Sequence, residues 1–581
     1  MRVTVLGAGY MGSAMATVAV MRGHDVRLWG TWLDDALLEP CERGEPHPRL
    51  GLELRGMTLL RAPRLEEALH GAELVVHAVN SDGATVVLQG QAVASGNVLL
   101  HGWILSLDSW WTLDVACYGI LTSIVGVQGY LLLAGPALIA GLVVIVGAVI
   151  ARRGRRGTAA AVGMVTVAAV LALPTHTLAS YLMCGPIHVS TALCALVAFW
   201  GLRRNRYGRG WLLAVGLLCA GMLGDLQMLS YGVVPALVAG GAAAARRRSV
   251  RAGGAALSAA VCSVVLALIV RTVVVALGGF SLGATNRVAS AQEIVANVVH
   301  LVPDLGQLLG LGDSINGSGG VPFALQSVHV LVAALLTATL ATGVVRLVGG
   351  VRHGRVPPEP PGPVSGDDPE PWRLDDLLVA ATLGATLNFV ILAGSATGYL
   401  RYLTATVIFG AVLAGRYVTL WWSLERPVVQ HRTASAVGAV TTACFLAASA
   451  VQLGQPAPSP PAVGLATFLE AHELTSGIGD FWVSSLTTVE SGGTVAVRPV
   501  VPGPDATLEA YNKGDDPGWF AGHSFQFVVY PGTTADSSPT QVSLRTASAT
   551  WGRPSATYHV AGYVVLVWSH PVTVTRFESR L

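Results

Sequence analysis

The chain has 581 residues, of which 36 are basic and 34 acidic, giving a formal net charge of +2. Only 12% of residues are charged and 52% are apolar, with a mean hydropathy of +0.57; soluble domains carry about 25% charged residues. This balance excludes an ordinary soluble enzyme and points to an integral membrane protein.

The positive charge is patterned. Arginines gather at 151–156, 202–210, 245–251 and 352–355, each beside an apolar run. Basic clusters at helix ends mark membrane orientation, whereas a nucleic-acid partner requires them on a polar folded surface, so nucleic acid is excluded. The seven cysteines are scattered without a CxxC pair, so neither a zinc site nor a disulfide framework is expected and no metal is assigned. The opening VTVLGAG is too short for a signal peptide and enters a glycine turn.

In chain order, Val3–Leu6 reads as a short strand. It runs into Gly7-Ala8-Gly9-Tyr10-Met11-Gly12, a helical pattern to Met21, and a second strand at Asp25–Trp29. This is GxGxxG in a strand–turn–helix–strand unit. Gly7 permits the tight turn, Gly9 lets the backbone approach a pyrophosphate, and Gly12 allows close helix–strand packing. The helix N-terminus offers N–H donors to phosphates. An acid at the end of the second strand is missing, and Asp34 and Asp35 come a few residues late. Further strands are expected at Glu73–Val79, ending in Asn80-Ser81-Asp82, and at Val98–Leu100.

GAGYMGSAMA, GHDVRLWG and GAELVVHAVNS resemble the N-terminal domain of NAD(P)-dependent glycerol-3-phosphate dehydrogenase, over residues 1–102. The resemblance implies NAD or NADP as cofactor, bound by Gly7, Gly9, Tyr10, Met11 and Gly12, with Asn80 and Ser81 beside the nicotinamide. The chain departs from that family at Asn80, where a proline is usual, and at His101-Gly102, where a Lys-Gly pair is usual. The family continues into an all-helical catalytic domain with an essential lysine, whereas this chain continues into apolar segments. Hydride transfer needs a closed pocket holding both partners in register, so dehydrogenase activity is not expected from this half alone.

From 112 to 453 the sequence reads as a transmembrane region. Runs able to span, at about 20 residues each, fall near 130–150, 158–175, 185–201, 211–227, 229–245, 253–275, 325–347, 377–396, 402–421 and 434–453. The arginine clusters place 151–156, 202–209, 246–251, 346–376 and 426–432 in the cytoplasm. The 276–324 loop and the tail after 454 then lie outside. Ten crossings leave the N-terminus outside, and an eleventh at Leu113–Val127 returns the Rossmann-like domain to the cytoplasm. In the 276–324 loop, IVANVVHLVPDLGQLLG reads as an interfacial helix positioned to roof a substrate site. The Pro-rich stretch within 348–376 reads as a cytoplasmic linker. Asp114, Asp225 and Asp304 are the candidate functional acids of this region, because an acid at membrane depth is costly; His176 and His188 also sit near span ends.

FWGLRRNRYGRGWLL…GDLQMLSYG and RYLTATVIFGAVLAGR, with an exported C-terminal domain, resemble multi-pass glycosyltransferases that use polyprenyl-phosphate sugars, and region 103–581 resembles actinobacterial membrane proteins. The first likeness implies a lipid-linked sugar as partner beside the bilayer, and an acidic base in the first external loop, where Asp114 is the nearest candidate.

Residues 454–480 read as a linker, and 481–581 as a small, mostly antiparallel β domain with period-2 runs at 494–501, 506–511, 524–530, 540–546, 557–560, 563–569 and 571–577. The expected fold is therefore mixed: a Rossmann-like α/β domain, a polytopic α-helical membrane region, and a small C-terminal β-rich domain. Three functions remain open. They are a membrane protein with a partial NAD(P)-binding domain, a lipid-linked sugar transferase of the outer face, and a non-enzymatic envelope protein.

Overall fold

The computed structural model describes residues 2–6, 16, 20, 25–29, 35–45, 54–61, 74–76, 81–284, 288–311, 323–354, 370–393, 400–423, 461–532, 534, 537–538 and 541–577. The chain builds three parts: a parallel Rossmann-like fragment, a multi-helical region, and a C-terminal mixed-sheet domain.

Four strands form the N-terminal sheet: β1 (Arg2–Leu6), β2 (Asp25–Trp29), β3 (Met57–Leu60) and β4 (Leu74–Val76), in the order β3-β2-β1-β4 and all parallel. Val26 and Leu28 of β2 are buried with Leu38 and Cys41 of helix α1 (Asp35–Glu42), Leu54, and Ala16. Gly7, Gly9, Tyr10, Met11, Gly12 and Asn80 lie outside the described residues.

Ser81 opens α2 (Ser81–Ala94), and here the structure departs from the expected boundary at 102. Ala84, Val86, Val87 and Leu88 of α2 are buried with Trp103, Tyr118, Leu131, Leu486 and Val489, which belong to later parts of the chain. The α2 helix packs on α3 (Asp114–Val125), where a Cβ on Gly90 would lie 2.6 Å from Tyr118 Cβ. The strand expected at Val98–Leu100 is a turn. A short strand follows instead, β5 (Ile104–Ser106), paired in parallel with β6 (Ser281–Ala284). The expected eleventh span, Leu113–Val127, is the 12-residue α3, about 18 Å long at 1.5 Å per residue and short of a hydrocarbon core of about 30 Å.

The helical region comprises α4 (Leu131–Ala151), α5 (Gly157–Leu171), the short α6 (His176–Leu182), α7 (Val189–Leu202), α8 (Arg209–Gly224), a π-turn at Leu229–Val233 running into α9 (Val234–Arg246), α10 (Gly254–Ala276), α11 (Ala291–Leu308), α12 (Phe323–His353), α13 (Pro371–Ile391) and α14 (Arg401–Trp422). Among the described residues six helices are long and apolar enough to cross a membrane: Leu131–Ala151, Leu229–Arg246, Gly254–Ala276, Val328–His353, Trp372–Ile391 and Arg401–Trp422. The runs expected at 158–175, 185–201 and 211–227 form the shorter α5, α7 and α8, and the run at 434–453 lies outside the described residues. Nearly every residue of α14 is buried, so it is the central helix, with α4, α5, α12 and α13 around it. On α10, by contrast, Val261, Val265, Leu268 and Ile269 are exposed, the apolar outer surface that lipid covers.

The arginine-bearing ends of these helices are clamped by acids. Asp375 accepts from Arg153 and from Arg416 Nε at 2.7 Å, while Asp376 pairs with Arg246. All five side chains are buried. Charge buried this way must be paired and hydrogen-bonded, and Arg416 also donates to Ile150 O at 2.8 Å.

The C-terminal domain begins earlier than expected, inside the presumed linker, with α15 (Pro461–Ala471) and β7 (Ser476–Gly479). Then come α16 (Phe481–Glu490), β8 (Ala496–Pro502), β9 (Leu508–Ala510), β10 (Phe525–Pro531), α17 (Leu544–Trp551), β11 (Ala556–Val560) and β12 (Tyr563–Val572). The sheet order is β11-β12-β10-β7-β8-β9; three of its five pairings are antiparallel, as the mostly antiparallel reading expected, and β10, β7 and β8 pair in parallel. The end of the run 540–546 enters a helix, Leu544–Trp551, because Ser543 and Thr546 form a reciprocal capping box.

Candidate functional site

The α2–α3 segment and the C-terminal domain meet on the end of the helical region opposite the arginine clusters. Thr85 donates to Ser485 at 3.0 Å, Ile104 N to Asp515 O at 2.9 Å, and Gly514 N to Ile104 O at 2.6 Å. Trp103 meets Trp519 edge-on at 5.0 Å, and Arg498 lies 4.1 Å from the Trp519 ring. Burial lowers the Arg498 pKa to about 10, against the raising influence of Asp516.

At this junction lies a partly enclosed cleft. Its charged and polar lining comes from segments far apart in sequence: Asp108, His188, Arg401 and Lys513, with Gln89 of α2 and Phe481 at the start of α16. Each is positioned by local structure. Ser109 donates to Leu223 O at 2.9 Å and Trp110 N to Gly224 O at 2.7 Å, so the Asp108 loop is tied to the end of α8. Arg401 is the first residue of α14. Lys513 is held by the β5 contact of Gly514, a glycine with φ +79° whose added Cβ would lie 2.9 Å from Thr85 Cγ2. The residue before α16, Asp480, caps that helix at Trp482 N (2.9 Å), and burial raises its pKa to about 6.

Behind the lining sits a buried polar layer. His188 Nδ1 is 2.8 Å from Asp225 Oδ2, Thr191 donates to the same carboxylate, and Gln227 N donates to Asp225 Oδ1 at 2.9 Å. Asp114 lies alongside, accepting from Ser190 Oγ at 2.5 Å. The imidazole stacks on Tyr402, with ring centroids 5.2 Å apart, and meets Trp110 at the same distance.

The three acids singled out from sequence therefore occupy different places. Asp225 holds a cleft histidine, and Asp114 sits beside that pair without lining the cleft. Asp304 is buried in α11, where burial raises its pKa to about 6 against the influence of His300. The α11 helix itself is pinned by Asn297, which donates to Val390 O and Leu392 O at 3.0 and 2.9 Å, while Val295, Val298, Val299 and Val302 face outward. Asp108, Arg401 and Lys513 were not recognised from sequence. For Lys513 a signal existed: it is the sole lysine among 36 basic residues. No group of three metal-ligating side chains occurs among the described residues.

Comparison with known proteins concerns the N-terminal fragment. A family model described as NAD-dependent glycerol-3-phosphate dehydrogenase N-terminus matches residues 2–98. The chain is 42% identical over 88 residues to the NADP(+)-dependent glycerol-3-phosphate dehydrogenase of Archaeoglobus fulgidus, covering 15% of this chain and 26% of that one. It is 36% identical over 93 residues to the glycerol-3-phosphate dehydrogenase [NAD(P)+] of Nitratidesulfovibrio vulgaris, covering 15% and 27%. To the enzyme of that name from Anaeromyxobacter sp. it is 40% identical over 90 residues, covering 15% and 26%. The chain thus spans about a quarter of the length of these relatives. It joins a partial NAD(P)-binding-like fragment to a multi-span helical region, with no catalytic cluster for dehydrogenation among the described residues.

Proposed function

We propose that the protein is a membrane-embedded transferase that takes a polyprenyl-phosphate sugar at the junction cleft, on the outer face of the membrane. The observation that carries this reading is the convergence of Arg401 and Lys513 with Asp108 and His188 in one partly enclosed cleft between apolar helices and a polar domain. A phosphate held there meets a forked guanidinium and a point-charge ammonium, the two side chains suited to it. An apolar tail meets helices whose outer surface is apolar, and an acceptor approaches from the polar domain. The arginine-rich opposite ends of the helices favour the outer face for the cleft, by the positive-inside rule.

The test is equilibrium binding of a polyprenyl-phosphate hexose to the full chain in nanodiscs. Arg401→Gln and Lys513→Gln each weaken binding roughly tenfold or more, the scale of a lost charge-assisted hydrogen bond. Absence of binding in the wild type, or unchanged binding in both variants, contradicts the reading.

A second reading is supported by the family match over residues 2–98. In it Gly7, Gly9, Tyr10, Met11, Gly12, Asn80 and Ser81 hold NAD or NADP without completing a dehydrogenase. Titration of the full chain with NADH and NADPH tests it. Saturable binding is lost in Gly9→Asp, because a side chain there blocks the pyrophosphate approach; no binding in the wild type removes this reading.

A further inference from the structure

Asp225 and His188 form a unit that the ion pairs at the opposite end of the helices do not resemble. There, each buried acid faces a guanidinium, which is not deprotonated in proteins and so cannot act as a base. Here the partner is an imidazole, and it belongs to the lining of the cleft. Three donors converge on the Asp225 carboxylate: the His188 ring, the Thr191 hydroxyl and the Gln227 amide. A carboxylate holding Nδ1–H fixes the tautomer and leaves Nε2 as the proton-accepting nitrogen.

The backbone reinforces this arrangement. His188 stands at the start of α7 with φ +73° and ψ 1°, a left-handed conformation that is uncommon outside glycine and that costs stability. Tyr402 and Trp110 hold the ring on either side, and Tyr231 approaches it edge-on at 6.4 Å. The groups facing the imidazole are Asp225 from the end of α8, Asp114 from α3, Tyr231 from the π-turn and Tyr402 from α14. Asp108, Arg401 and Lys513 share the cleft.

We infer that His188 is the proton acceptor of the transfer step, with Asp225 as its positioning residue. This inference rests on the proposed reaction. As the acceptor hydroxyl attacks the anomeric carbon, its proton passes to His188 Nε2. The new carbon–oxygen bond forms as the bond from that carbon to the phosphate oxygen breaks. The electron pair leaves with the polyprenyl phosphate, beside Arg401 and Lys513, and the imidazolium returns its proton to solvent.

The experiment uses the full chain in nanodiscs with a polyprenyl-phosphate hexose labelled in the sugar. Binding is read separately from sugar release to water, which serves as the simplest acceptor. His188→Asn is the informative variant. Asparagine tolerates the left-handed backbone, and its amide can donate to Asp225, but it offers no basic nitrogen. The expected result is binding within about twofold of wild type and kcat lower by 10²–10⁴-fold, as for loss of a general base. The acidic limb of the pH–rate profile, where protonation of the imidazole removes the acceptor, disappears with it. Asp225→Asn keeps the shape and lowers kcat with KM unchanged, because the imidazole loses the partner that orients it. It decides the question if His188→Asn fails to fold. Retention of kcat and of the acidic limb in either folded variant overturns the inference. If the wild type does not bind the probe, the proposed reaction falls, and a proton acceptor for it falls as a consequence.

Discussion

Lys513 and Arg153 illustrate how differently single residues speak before and after folding. The arginine clusters were legible as orientation marks, because apolar runs flank them. Their second role was hidden: Arg153 and Arg246 are buried and face Asp375 and Asp376, more than 100 residues away in the chain. The adjacent acids in WRLDDLL gave no hint of partners that distant. Asp375 bridges α4 and α14 through Arg153 and Arg416. Removing its charge leaves two buried guanidinium groups facing a neutral amide, so Asp375→Asn destabilises the helical region by about 3–5 kcal/mol, the cost of breaking a buried pair. Thermal or denaturant unfolding in detergent measures this. A loss below about 1 kcal/mol, the scale of an exposed pair, contradicts the assignment. The cleft residues were harder to read. Asp108 and Arg401 are ordinary in composition, and only folding brings them together with His188. The singularity of Lys513 was visible, but its place was not.

Among elements, those with strong local signals were legible. The first two strands, the amphipathic α11 and the long helices follow from period and length alone. The α2 helix was not, since its apolar residues suit a Rossmann-like helix as well as the layer where they pack, and the choice is made by Tyr118, Leu486 and Val489. Gly90 marks that choice, because it lets α2 lie directly on the α3 backbone. The helix α17 was misread for a local reason: alternation in TQVSLRT outweighed a capping box that starts at the expected strand's central residue, Ser543. The C-terminal sheet was read as mostly antiparallel, which its pairings are, but the parallel β7–α16–β8 crossover was hidden, because strand pattern shows period and not direction and β7 is a four-residue strand rich in glycine.

At the scale of the whole molecule, α2 links the two terminal units. β4 ends at Val76 and α2 begins at Ser81, and so short a stretch reaches at most about 18 Å when fully extended. A hydrocarbon core is about 30 Å thick, and α2 is packed against α16 of the C-terminal domain. We therefore propose that the Rossmann-like fragment and the C-terminal domain share one face, where eleven crossings would set them on opposite faces. The apolar composition of α3 suits a span, and its 12-residue length does not.

The most direct test exploits Lys513, the sole lysine, with a membrane-impermeant amine reagent applied to the full chain in sealed vesicles and read by peptide mass spectrometry. Arg43→Lys adds one lysine at an exposed position of the N-terminal fragment. The account predicts that Lys513 and the lysine introduced by Arg43→Lys are modified from the same side, and that a polyprenyl-phosphate hexose shields Lys513 alone. Modification from opposite sides, or a Lys513 that reacts equally with and without the lipid-linked sugar, contradicts it.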